Sequence, residues 1–132
     1  MADAFATRGW KRIQRLAASE PVDAGRRRYK LYVIEVERVD PRLAYAFYVG
    51  YTSLSPERRL AQHQEAGDKA WRQFRNGRAR AARLRYDLME GLPKFRTEVA
   101  AKAAEGTLAR VITANVGRAY SDRVDDRRRA SA

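Results

Sequence analysis

The sequence has no cysteine and a single histidine, His63. The first absence excludes disulfides, iron–sulfur clusters, thiolate zinc and a cysteine nucleophile. The second excludes histidine-rich metal sites such as a helical His-Glu-x-x-His. Acidic residues are scarce beside basic ones, 16 against 28 over 132 residues, leaving a net charge of +12. No apolar run comes near the roughly 20 residues that cross a bilayer, so no membrane partner is expected. With no cysteine and no secretory leader, the expected compartment is a reducing cytoplasm. Any metal must sit on carboxylate oxygen, which favours a hard cation such as Mg²⁺ or Mn²⁺.

What is present points to a polyanion. A pI near 10.7 on so small a chain is the electrostatic footprint of a nucleic-acid binder. Most of the basic residues are arginine, whose planar fork grips phosphate bidentately. At 45% hydrophobic and 33% charged residues, the chain supports one domain with a modest core.

Along the chain, residues 1–28 read as a basic N-terminal extension. Trp10, Ile13, Leu16 and Ala17 recur at helical spacing among Arg8, Lys11, Arg12 and Arg15, so a short amphipathic helix is expected. Such a helix either caps the core or tracks phosphates. Ser19 to Gly25 reads as a linker. Two strands follow, Leu31–Val36 and Tyr45–Val49, joined through the turn signature Asp40-Pro41-Arg42 into an antiparallel hairpin. Ser55 as N-cap and Pro56 at the first helical position start a helix that runs to about Ala66, with Gly67 closing it. A third strand is expected at Phe95–Thr97 and a long helix from Val99 to Asn115. Residues 118–132 read as a basic tail. The expected fold is a small α+β domain over 29–117, a three-stranded, mainly antiparallel sheet flanked by helices.

Several residues on these elements could carry chemistry. Arg59 and His63 are four apart and share the core-facing side of their helix with Leu60, while Arg58 points away. Either they grip a phosphate together or they lie at the core's margin. Glu105 falls beside Ala101, Leu108 and Ile112, where a carboxylate is costly unless hydrogen-bonded or bound to a cation. Tyr32 and Tyr48 lie one on each paired strand. A tyrosine deprotonates water only where cationic neighbours lower its pKa. At Gly50 the missing Cβ lets another group approach the backbone.

Taken in order, Tyr32, Tyr48-Val49-Gly50, Arg59-x-x-x-His63 and a later helical acid resemble the GIY-YIG nuclease family. Lys30-Leu31-Tyr32 stands where that family has its first motif, and Tyr48-Val49-Gly50 looks like its second. Thr52 and Glu57 to His63 are similar to the helix that follows, and Ala104 to Ala109 resembles the segment bearing the metal-binding glutamate. The likeness runs from about Tyr29 to Gly117. The chain departs from the pattern in having Lys30 for a glycine, one extra residue between Gly50 and the arginine, and no well-spaced asparagine after Glu105.

The resemblance implies a divalent-metal-dependent endonuclease acting on DNA, with Glu105 holding Mg²⁺ or Mn²⁺. Tyr32 would be general base, Arg59 would neutralise transition-state charge, and Tyr48 and His63 would bind phosphate or tune Tyr32. Lys30, Gly50, Arg72, Arg75, Arg78 and Arg80 are the expected nucleic-acid contacts. Trp71 and Phe74 among those arginines would stack unpaired bases, favouring a single-stranded or branched substrate. The alternative is a module that binds DNA or RNA on the same fold without turnover. Nothing in the sequence selects between monomer and homodimer.

Overall fold

The computed structural model describes residues 8–123. Chain order is α1 (Arg8–Ala18), β1 (Lys30–Arg38), β2 (Phe47–Thr52), α2 (Pro56–Glu65), α3 (Arg72–Arg75), β3 (Ala79–Leu84), α4 (Tyr86–Met89), α5 (Glu98–Asn115) and β4 (Ala119–Tyr120). These make an α+β domain around a four-stranded mixed sheet in the order β3-β1-β2-β4. The run Arg127-Arg128-Arg129 lies outside the described residues.

Central β1 is buried on both faces from Leu31 to Ile34, as its unbroken apolar run requires. It pairs antiparallel with β2, setting Tyr32 opposite Gly50 and Ile34 opposite Tyr48. The connecting turn is held by Asp40, whose Oδ1 accepts from the Arg42 amide at 2.9 Å. Leu31, Val33, Phe47 and Val49 pack beneath α5, and Ile13 and Ala17 of α1 close that layer. The apolar face of α1 therefore caps the core, with Arg8, Arg12 and Arg15 left exposed. The segment after it is tied down too: Glu20 accepts the amides of Arg96 and Thr97 at 2.7–2.9 Å, bracing the start of α5.

The other face of β1 carries Tyr32, Ile34 and Val36, covered by α2, α3 and Trp71 between them. Helix α2 starts as expected, with Ser55 accepting the Arg58 amide at 3.1 Å, but its left-handed closing residue is Ala66 (φ 57°) rather than Gly67. Helix α5 covers almost the expected span, capped by Thr97.

The third long strand differs from expectation. It is β3, while Phe95 makes only a single bridge with Tyr29. Alanine has low strand propensity, so Ala79 to Leu84 gives little local signal. Its pairing comes from partners across the sheet: Arg80 faces Glu37 and Arg83 faces Glu35. Short β4 adds a parallel edge against Phe47 and Tyr48. Among the described residues no helix is long and apolar enough to cross a membrane.

Candidate active site

Tyr32 and Gly50 face each other across β1 and β2, and the tyrosine ring lies directly on the glycine backbone. A Cβ built on Gly50 would stand 2.4 Å from Tyr32 Oη and 2.5 Å from Cζ. The group that approaches this backbone is thus the chain's own phenol. It is buried, 1% exposed.

Two residues of α2 converge on that phenol. Arg59 Nε donates to Tyr32 Oη at 3.3 Å, and His63 Nε2 lies 3.1 Å from the same oxygen. The Trp71 amide donates to His63 Nδ1 at 3.1 Å, so the neutral ring carries its proton on Nε2 and donates to Tyr32. Arg59 Nη2 also stands 3.1 Å from Nε2, a donor against a donor. Arg59 is further held by Gln62 Oε1 at 2.6 Å and the Lys69 carbonyl at 3.2 Å. Arg58 is exposed, so the helical face selects Arg59 of the two neighbouring arginines.

The electrostatics follow from burial. Desolvation, with Arg59 adding to it, lowers His63 to about 3, so the ring is neutral near pH 7. Tyr32 is pushed up to about 12 by desolvation, although Arg59 pulls the other way. Near neutral pH it therefore holds its proton and acts as a donor. Burial raises Tyr48 well above its ordinary value too, helped by the negative charges of Asp122 and Glu105.

His63 has a measurable consequence. Its folded pKa lies below the unfolded 6.5, so the unfolded chain binds more protons between these values. This contribution to stability is complete above pH 6.5 and is lost as pH falls toward 3, at up to about 1.4 kcal/mol per pH unit. Urea titrations between about pH 6 and pH 4 are expected to show a shallower loss in His63→Asn than in the parent. Equal slopes would remove this assignment.

Glu105 lies on α5, in the layer across the sheet from α2. It is 4% exposed, and its Oε2 has no hydrogen-bond partner among the described residues. Desolvation raises it to about 8; Asp122 adds to the rise, and Arg123 opposes it by its charge and its backbone. Its charge acts on Tyr32, Tyr48 and Tyr51 alike. Gly106 brings the covering segment close, since a Cβ there would stand 3.1 Å from Arg123 Cβ.

Among the described residues no group of three histidines, cysteines or acids could cage a metal. A hard cation that keeps most of its waters needs only one or two carboxylates and a substrate phosphate. Glu105, with a buried unpartnered oxygen and Asp122 acting on it, fits that demand.

The expected nucleic-acid contacts divide into two groups. Arg72 and Arg75 are exposed on α3, and Lys30 Nζ donates to the Leu54 carbonyl at 3.4 Å. Arg78 is paired to Asp40 and Arg80 to Glu37. Trp71 and Phe74 are buried against Tyr48 rather than offered to bases, their rings 5.1 Å apart and perpendicular. The expected stacking surface for unpaired bases is therefore core. Three partners in the network carry no sequence signal: Gln62, the Lys69 carbonyl and the Trp71 amide.

Comparison of the chain with protein-family models, with curated proteins and with solved structures finds no match in any of the three.

Proposed function

We propose that the protein is a divalent-metal-dependent endonuclease that hydrolyses phosphodiester bonds, with DNA as substrate. One observation carries this reading: Tyr32, Arg59 and His63 form a single hydrogen-bonded network, and a buried carboxylate on α5, Glu105, acts by its charge on the same tyrosine.

Arg59 is the one half-exposed member of these four, so a phosphate meets it first. Its hydrogen bonds to Tyr32, Gln62 and the Lys69 carbonyl fix the guanidinium plane before substrate arrives, and a preset cation stabilises charge that grows on the phosphoryl oxygens. His63 aims the Tyr32 phenol. Protonated near neutral pH, that phenol orients a water or a phosphoryl oxygen by donating to it, and it gains base strength only as positive charge gathers nearby. Tyr48 packs behind it. Glu105 and Asp122 would hold the cation, Glu105 giving up its raised-pKa proton as the ion binds. When bound, the ion supplies Lewis-acid stabilisation of a phosphoryl oxygen and the leaving 3′-oxygen.

The test is conversion of supercoiled plasmid to nicked circle in Mg²⁺ or Mn²⁺ and its loss in EDTA. Arg59→Ala is expected to slow nicking roughly 10²–10³-fold, and Arg59→Lys to recover little, because an ammonium cannot reproduce the fork. The second reading, a binding module without turnover, draws on the burial of Tyr32, Tyr48, His63 and Glu105. Retention of DNA without nicking in either metal would establish it and end the hydrolase proposal.

A further inference from the structure

Four arginines converge on a cleft remote in sequence from Tyr32 and His63. Arg8, Arg12 and Arg15 follow one another along one face of α1, four and three residues apart, and Arg110 of α5 lines the same space. The cleft has a volume of about 600 Å³, with Val111 and Ala114 supplying apolar lining and no carboxylate among the described residues of its walls. It lies in the helical layer on the sheet face opposite α2.

The charge here differs from that along β3. Arg78, Arg80, Arg83 and Arg85 are each matched to a carboxylate of the chain itself. Among the described residues, Arg8, Arg12 and Arg15 have no ion-pair partner, and α1 contains no acidic residue. Three guanidinium groups kept close without counter-charges repel one another, so the surface is poised for an external anion. From Arg8 to Arg15 the helix rises about 10.5 Å, the length of about three phosphates along one strand at about 3.4 Å each. A bilayer fits less well. The large apolar side chains of α1, Trp10 and Leu16, pack against the core, and among the described residues the exposed large hydrophobics lie elsewhere.

We propose that the cleft between α1 and α5 is a docking surface for the phosphodiester backbone of a nucleic-acid strand. Forked guanidinium groups bind successive phosphates, while Val111 and Ala114 face the less polar sugar edge. The surface binds whether or not the opposite face cleaves.

The test is equilibrium binding by fluorescence anisotropy, with the full-length chain in EDTA so that turnover does not contribute. Labelled duplex and single-stranded DNA are titrated over about 50–200 mM salt. Replacing Arg8, Arg12 and Arg15 together by Gln is expected to weaken binding at least roughly tenfold. It should flatten the slope of log K against log salt by about 2.7 for duplex or about 2.1 for single strand. The corresponding triple lysine variant should keep most of the slope, since it keeps the charges. All three side chains are exposed, so thermal melts of each variant should match the parent. A single Arg12→Glu variant, which leaves the rest of α1 intact, should weaken binding in the same direction. Unchanged slope and affinity in the glutamine variant would overturn the proposal, and loss of binding to phosphatidylserine vesicles alone would assign the cleft to an anionic membrane instead. Because turnover is absent from the readout, this outcome is separate from the plasmid-nicking result.

Discussion

At pH 8 without divalent cations, Glu105→Gln is expected to melt at a higher temperature than the parent chain, and in Mg²⁺ to lose at least about a hundredfold in nicking rate. The stability change has a definite sign. Folding holds the Glu105 proton up to about pH 8, whereas the unfolded chain releases it near 4.5. Between those values the folded state binds more protons, so stability falls as pH rises. An amide has no such loss, so the gap between variant and parent should open from about pH 4.5 and level off above about pH 8. Saturating Mg²⁺ should narrow the gap by stabilising the ionised parent, by about 2.7 kcal/mol at a hundredfold excess over Kd. The glutamine variant should not respond. The measurement is a melt series against pH with Mg²⁺ or with NaCl of matched ionic strength. An identical Mg²⁺ response in both proteins would remove Glu105 as a ligand.

The second large effect is at Gly50. A methyl group there meets Tyr32 Oη at 2.4 Å and Cε1 at 2.9 Å. The ring has little freedom to give way, because Oη is held by Arg59 and His63 inside a packed aromatic cluster. Gly50→Ala should therefore cost about 1–3 kcal/mol of stability and break the network that aims Tyr32. Nicking should fall with it. A double-mutant cycle by urea denaturation isolates the cause: in a Tyr32→Ala background the same substitution should cost much less, giving a coupling energy above about 0.5 kcal/mol. Additive losses would place the role of Gly50 in its backbone rather than beneath the phenol.

Much of the fold is legible in local sequence because the relevant physics is local. Ser55-Pro56 starts α2, Asp40-Pro41-Arg42 turns the hairpin, and the apolar stripe of α5 runs at helical period. Strand β3 is not legible that way. Its alanines and arginines favour helix by local propensity, and pairing across the sheet with β1 decides against it. The aromatics Trp71 and Phe74 mislead for a related reason: aromatic residues between arginines look exposed in sequence, yet α3 folds them inward over Tyr48.

By itself the sequence determined an excess of positive charge, the lack of soft metal ligands, the main helices and hairpin, and the face of α2 that carries Arg59 and His63 together. Only the tertiary structure decided that Tyr32 lies on Gly50, that Trp71 presents its amide to His63, and that Asp122 and Arg123 act on Glu105. Those contacts join groups far apart in the chain through backbone atoms and burial. Neither has a residue type by which a sequence could announce it.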